Sequence, residues 1–128
     1  MVQIKKSKLI LSGVGVAVVI IVIVLLVVSP NQPAKLDSFA KCVAESGAKF
    51  YGTFWCPHCQ DQKHEFGKSF EFLPYVECST PDGRGQLAVC AQQNITGYPT
   101  WVFADGSRES GKMALQELAY KTNCVLPK

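Results

Sequence analysis

The chain has 128 residues, of which 48% are hydrophobic, and a formal net charge of +3. This length allows one domain with a modest core. The positive surplus lies before residue 36, because residues 36–128 carry nine Lys and Arg against ten Asp and Glu. A domain so close to neutral does not indicate a nucleic-acid-binding protein.

The amino-terminal segment predicts a membrane anchor. Residues 9–28 are uncharged and rich in Val, Ile and Leu, and a helix of that length, about 30 Å, spans a bilayer. Three lysines precede the segment, which places Met1 in the cytoplasm and the rest of the chain outside it. The alternative is a cleaved signal peptide, whose apolar region is shorter. Pro30, directly after Ser29, disfavours cleavage at that point.

The rest of the chain is predicted to alternate helices and strands, because apolar residues recur at helical spacing or in short runs between turn residues. The predicted parts are a cytoplasmic end 1–8, the anchor 9–28, a stiff linker 29–35 and an extracytoplasmic domain 36–128. The predicted elements are helix 36–46, strand 49–54, helix 57–73, strand 75–78, helix 86–93, hairpin strands 101–104 and 107–111, and helix 114–124. This order predicts an α/β fold with a small mixed sheet flanked by helices.

The segment Phe54-Trp55-Cys56-Pro57-His58-Cys59 holds the chemistry that the sequence shows most clearly. It follows a strand and begins a helix, so Cys56 is expected where unpaired N–H groups and the helix dipole stabilise a thiolate. Pro57 suits the first helical turn, and a protonated His58 adds positive charge beside the sulfur. Cys59 has the spacing needed to attack a mixed disulfide at Cys56. The pair is predicted to be a redox dithiol that needs no other cofactor and no metal.

Two other interpretations of this pair stay open, a structural disulfide and one half of a zinc site. A zinc site needs a second ligand pair, and the remaining four cysteines form no further Cys-X-X-Cys. Their even number, after an export-type segment, indicates disulfides and an oxidising compartment. Their positions favour a Cys78–Cys90 bond around a Gly- and Pro-rich turn and a Cys42–Cys124 bond from the first helix to the chain end. The alternative is that one of these pairs is itself redox-active.

Several motifs together resemble the thioredoxin superfamily over residues 37–126. They are Trp55-Cys56-Pro57-His58-Cys59, the later Gly97-Tyr98-Pro99-Thr100 and the Asp105-Gly106 hairpin. More narrowly, the chain is similar to the thioredoxin-like domain fused to bacterial and plant vitamin K epoxide reductase homologues. The segments that carry this similarity are 48–52, 62–63, 66–67, 74–78 and 97–101. The Cys-Pro-His-Cys sequence also matches the bacterial periplasmic dithiol oxidant.

The resemblance implies a thioredoxin-like fold behind the anchor and a substrate-binding surface beside the dithiol. In this superfamily the proline matching Pro99 is cis and lies against the cysteines, and the backbone at Tyr98 binds an extended substrate by strand-like hydrogen bonds. Gly97 and Trp55 border the same surface. The implied partners are the thiols of secreted proteins and a quinone-linked membrane oxidase resembling vitamin K epoxide reductase.

The chain departs from the family pattern in two respects. Cytosolic thioredoxins carry a buried acid six residues before the first cysteine, where this chain has Phe50, so the proton acceptor for Cys59 is unassigned. The chain also offers a single predicted span instead of the four-helix membrane partner. A quinone-reducing partner is therefore expected to be a separate protein.

The leading hypothesis is a membrane-anchored, extracytoplasmic thiol–disulfide oxidoreductase that passes disulfides to secreted proteins. A stabilised Cys56 thiolate favours the oxidant direction, because it stabilises the reduced form. One alternative is a reductase that serves cytochrome maturation or disulfide repair. Another is a tethered binding module that uses the Tyr98-Pro99 groove, with Cys56–Cys59 as a permanent staple.

Overall fold

The computed structural model describes residues 15–24 and 35–128. The chain divides into two compact units, Met1–Gln32 and Pro33–Lys128. Of the first unit, residues 15–24 are helical.

The predicted membrane anchor falls largely on residues that the structure does not describe. The cytoplasmic end 1–8 lies wholly outside the described residues, and the anchor 9–28 and the linker 29–35 lie mostly outside them. Within 15–24 and 35–128, no helix combines the length and the apolar character needed to cross a bilayer. The anchor therefore stays a prediction.

The second unit has an α/β architecture in which helices and short strands alternate. Its helices are α1 (Asp37–Glu45), α2 (Pro57–Phe66), a 3₁₀ helix (Gly67–Phe72), α3 (Ala88–Ala91) and α4 (Leu115–Thr122). Its strands are β1 (Lys49–Gly52), β2 (Tyr75–Glu77), β3 (Thr100–Val102) and β4 (Arg108–Ser110).

The four strands form one mixed sheet in the order β2-β1-β3-β4. Strand β1 pairs parallel with β2 and antiparallel with β3, and β3 pairs antiparallel with β4. The register sets Phe50 opposite Tyr75 on one side and opposite Trp101 on the other. The predicted mixed sheet flanked by helices is confirmed, and the arrangement is compatible with a thioredoxin-like fold.

The two faces of the sheet carry separate clusters of buried side chains, because neighbouring residues of a strand point to opposite faces. On one face, Phe50 and Trp101 are fully buried and their ring centroids are 4.7 Å apart. On the other face, Tyr51 packs in a smaller cluster with Ile95. The larger cluster also contains the buried apolar residues of α1 and α2, so both helices pack against the same face of the sheet.

Two predicted helices are shorter than expected. The helix predicted over 57–73 ends as an α-helix at Phe66, because Gly67 takes a φ of 55° and a 3₁₀ helix follows it. The helix predicted over 86–93 is a single turn, Ala88–Ala91, because Leu87 is still extended, with ψ 145°.

Candidate active site at the start of helix α2

The dithiol begins at the junction between β1 and α2. Cys56 has an extended backbone, with φ −77° and ψ 120°, and directly precedes the first helical residue, Pro57. A short turn delivers it, since the Cys56 N–H donates to the Thr53 carbonyl at 3.3 Å. The Cys56 carbonyl then accepts the N–H of Gln60 at 3.1 Å. The Cys56 sulfur is therefore attached at the end of the helix where N–H groups lack helical partners and the dipole is positive.

Both cysteines of the pair are free thiols, and they differ in exposure. Cys56 is 5% exposed and Cys59 is 0% exposed. Burial, together with a hydrogen bond to Cys56, raises the pKa of the Cys59 thiol from an ordinary 9.0 to about 12. Cys59 is therefore a protonated thiol at neutral pH, and Cys56 is the sulfur that a partner reaches first.

The peptide bond between Tyr98 and Pro99 is cis and lies against this pair. The Cys56 thiol donates to the Tyr98 carbonyl with a sulfur–oxygen distance of 3.6 Å. Pro99 is fully buried, and the Gly97 carbonyl accepts the hydroxyl of Thr100 at 2.8 Å. Three of the residues predicted for substrate binding thus lie in one segment, with the Tyr98 carbonyl at the reactive sulfur.

Two aromatic side chains next to the dithiol face solvent. Trp55 is 52% exposed and Phe54 is 48% exposed. The Trp55 ring stands edge-on to Tyr98 with centroids 6.1 Å apart, and its indole N–H donates to the Ser79 hydroxyl at 2.9 Å. Trp55 therefore joins the loop after β2 to the cis-proline segment, and it leaves an exposed apolar surface beside the sulfur.

The two histidines are exposed, and the other four cysteines are already bonded to one another. His58 and His64 are both exposed on α2. Cys42 is bonded to Cys124 and Cys78 to Cys90, which is the pairing favoured from the sequence. These four sulfurs are therefore unavailable as zinc ligands for the dithiol.

Sequence reasoning missed two polar side chains that hold this site in place. Glu77 accepts the backbone N–H of Phe54 at 3.3 Å. Gln62 is fully buried, accepts the Met113 N–H at 2.8 Å and donates to the Met113 carbonyl at 3.1 Å. Glu77 therefore fixes the turn before Cys56, and Gln62 fixes α2. The Tyr75-x-Glu77 spacing could have signalled only that these two side chains meet, since alternate strand residues share a face.

Comparison with known proteins points to the same chemistry. No protein-family model matches the chain. The chain is 44% identical over 94 residues to an Arabidopsis thaliana protein named thiol-disulfide oxidoreductase LTO1. The match covers 70% of this chain and 24% of the relative, so the chain spans about a quarter of that protein's length.

Proposed function

We propose that this chain is a thiol–disulfide oxidoreductase whose reactive group is the Cys56–Cys59 pair. The observation that carries the proposal is the position of Cys56, which starts helix α2 and contacts the Tyr98 carbonyl while Cys59 is buried behind it. The identity of 44% to a protein named thiol-disulfide oxidoreductase supports the same activity.

The exchange has two steps, and each breaks one sulfur–sulfur bond while forming another. A substrate thiolate attacks Cys56 in the oxidised pair, so a mixed disulfide forms and Cys59 leaves as a thiolate that takes up a proton. A second substrate thiolate then attacks the substrate sulfur of the mixed disulfide, and Cys56 leaves. The substrate loses two electrons and the dithiol gains them. Cys56 keeps 5% exposure while Cys59 has none, and this difference favours attack at Cys56.

We assign substrate binding to the surface of Trp55, Gly97, Tyr98 and Pro99. An extended peptide gains strand-like hydrogen bonds from a backbone segment whose carbonyl faces the reactive sulfur. The exposed rings of Trp55 and Phe54 offer apolar contact to the residues that flank a substrate cysteine. His58 lies between the two cysteines in the chain and is exposed, and we assign it to the reactive motif together with them.

The finer proposal is that the domain is held outside the cytoplasm by the segment 9–28 and supplies disulfides to secreted proteins. Residues 15–24 of that segment are helical, and their large side chains, all Val and Ile, are exposed. The resemblance to domains fused to vitamin K epoxide reductase homologues supports a quinone-linked membrane enzyme as the partner that reoxidises the pair.

Trapping of partners tests the activity. We expect Cys59→Ala to accumulate mixed disulfides with secreted proteins, because the Cys56 thiolate can still attack a partner's disulfide while Cys59 is no longer there to displace that partner. Non-reducing gels followed by mass spectrometry of the Cys56 peptide detect them, and the matched control is the Cys56→Ala, Cys59→Ala double variant. A tethered binding module with a permanent staple predicts no trapped species.

The reduction potential of the pair decides the direction of electron flow. The full chain is equilibrated with glutathione mixtures, and the Cys56–Cys59 peptide is scored for free thiols. A value of about −120 to −200 mV supports the oxidant, and one of about −270 mV or below supports the reductase.

A further inference from the structure

We propose that Tyr75 and Glu77 carry the proton that Cys59 gains and loses during exchange, in the role left vacant where Phe50 replaces the acid of cytosolic thioredoxins. The inference rests on the proposed function, because Cys59 has to change its protonation state only if the pair exchanges disulfides.

Cys59 and Tyr75 both lie close to Gly52. A methyl group built on Gly52 would be 3.0 Å from the Cys59 Sγ and 3.0 Å from the Tyr75 Cε2. The sulfur and this ring edge are thus within about 6 Å of each other, since each distance to the shared point is 3.0 Å. Glycine at this position lets both side chains approach the backbone, and Cε2 is adjacent to the carbon that bears the phenol oxygen.

The Tyr75 phenol is hydrogen-bonded to a carboxylate. Its O–H donates to the Glu77 Oε2 at 2.7 Å. The other oxygen, Oε1, accepts the backbone N–H of Ser79 at 2.9 Å and of Phe54 at 3.3 Å. Three donors on one carboxylate fix its position. The phenol beside the buried sulfur is thus hydrogen-bonded to a carboxylate that is only partly buried.

The groups around Cys59 show why it needs a route for its proton. Cys56, Lys63 and the backbone of Thr53 act on it directly, and Tyr75, with Glu77 as its hydrogen-bond partner, lies beside it on β2. Burial outweighs the lowering effects of a Thr53 backbone hydrogen bond and of Lys63, and it raises the pKa of the Cys59 thiol to about 12. A thiol in this state is a poor nucleophile at neutral pH until a base takes its proton.

The phenol is suited to pass the proton on and unsuited to hold a charge. Burial and the hydrogen bond to Glu77 raise the pKa of Tyr75, so it stays neutral. When Cys59 attacks a mixed disulfide at Cys56, its proton moves to the Tyr75 oxygen as the Tyr75 proton moves to Glu77. The Cys56–Cys59 bond forms and the partner leaves as a thiolate. When the bond opens, the same protons move back to the departing Cys59.

The reaction of the reduced full chain with dithiobis(nitrobenzoate) separates the two thiols. Cys56 attacks the reagent and releases one coloured thiolate. Cys59 then displaces the second in a phase whose rate does not depend on reagent concentration. The chain is first reduced mildly, so that Cys42–Cys124 and Cys78–Cys90 stay bonded, and the two phases are followed by stopped flow as a function of pH.

We expect Tyr75→Phe and Glu77→Gln each to slow the second phase about 100-fold at neutral pH, which is the effect of losing a general base. The rate constant of that phase should then rise in proportion to the hydroxide concentration. The first phase should be unchanged, because Glu77→Gln keeps an oxygen for the N–H groups of Phe54 and Ser79. The matched control is Tyr51→Phe, a buried tyrosine on the other face of β1, which should alter neither phase.

An unchanged second phase in both variants overturns the inference while leaving the proposed function intact. The proposed function is overturned instead if the parent chain releases only one equivalent of the coloured thiolate and shows no phase that is independent of reagent concentration. If a variant also changes the first phase, the pH profile of the second phase decides. A second-phase rate that rises in proportion to hydroxide in the variant supports the proton route. A variant whose second phase has the same pH profile as the parent contradicts it.

Discussion

The cysteines of this chain fall into two groups that differ in sequence separation and in whether they are bonded. The pair at the start of α2 lies within one helical turn, and its thiols are free. The bonded pairs join distant parts of the domain, with sequence separations of 82 for Cys42–Cys124 and 12 for Cys78–Cys90. By loop entropy, those separations correspond to about 4.5 and about 3 kcal/mol of stabilisation. A bond within one turn closes a smaller loop, so opening or closing it changes the free energy of unfolding less.

Removing the long-range bond tests this contrast most strongly. The Cys42→Ala, Cys124→Ala double variant is expected to lose about 4.5 kcal/mol of unfolding free energy, because the unfolded chain regains the freedom of the open loop. It should keep two-phase thiol release at low temperature, since neither sulfur touches the reaction. Urea unfolding measures the first quantity and stopped flow the second.

The matched control for that variant is Cys56→Ala, Cys59→Ala, which should abolish exchange while changing stability far less. The contrast between the groups breaks down if the Cys42 and Cys124 changes abolish exchange while the chain is still folded.

Much of this architecture could be predicted because its signals are local. The Cys-X-X-Cys spacing placed Cys56 at a helix start, and the Asp105-Gly106 turn placed the hairpin between β3 and β4. The end of α2 at Phe66 was missed, because Gly67 reads as a tolerated helical residue until its positive φ is seen. Local patterns therefore located the elements better than their ends.

The contacts that complete the site could not be predicted, because they depend on register between distant segments. Glu77 reaches the Phe54 N–H because β1 and β2 pair in parallel with Gly52 opposite Glu77. A shift of one residue would turn Tyr75 and Glu77 to the other face of the sheet. The missing acid at Phe50 was visible in the sequence, while the side chains that take its place were not.

A methyl group at position 52 tests how tightly the free pair is packed against β2. Gly52→Ala sets a Cβ 3.0 Å from both the Cys59 Sγ and the Tyr75 Cε2, and overpacking of this kind costs about 1–3 kcal/mol. Thermal unfolding should show this loss, and the second phase of thiol release should slow as Cys59 is displaced. Gly97→Ala is the matched control, because its added Cβ meets nothing within 4 Å. Equal stability of the two variants would refute the close packing.

The two groups of cysteines also differ in how they affect stability as the pH changes, because bonded sulfurs do not titrate and the free Cys59 thiol does. Burial raises the pKa of Cys59 in the reduced fold from 9.0 to about 12. Between these values the folded chain keeps a proton that the unfolded chain has lost. The stabilisation is therefore complete below pH 9 and is lost as the pH rises toward about 12, with a slope of at most about 1.4 kcal/mol per pH unit.

Urea unfolding of the reduced chain from pH 8 upward measures this slope, and Cys59→Ala is the reference because it keeps every Lys and Tyr and lacks only this thiol. Above pH 9 the parent should lose stability more steeply than the variant. The chain oxidised at Cys56–Cys59 should follow the variant. Parallel slopes for the reduced parent and the variant would mean that the Cys59 thiol is not held protonated by burial, and the need for a proton route through Tyr75 and Glu77 would disappear with it.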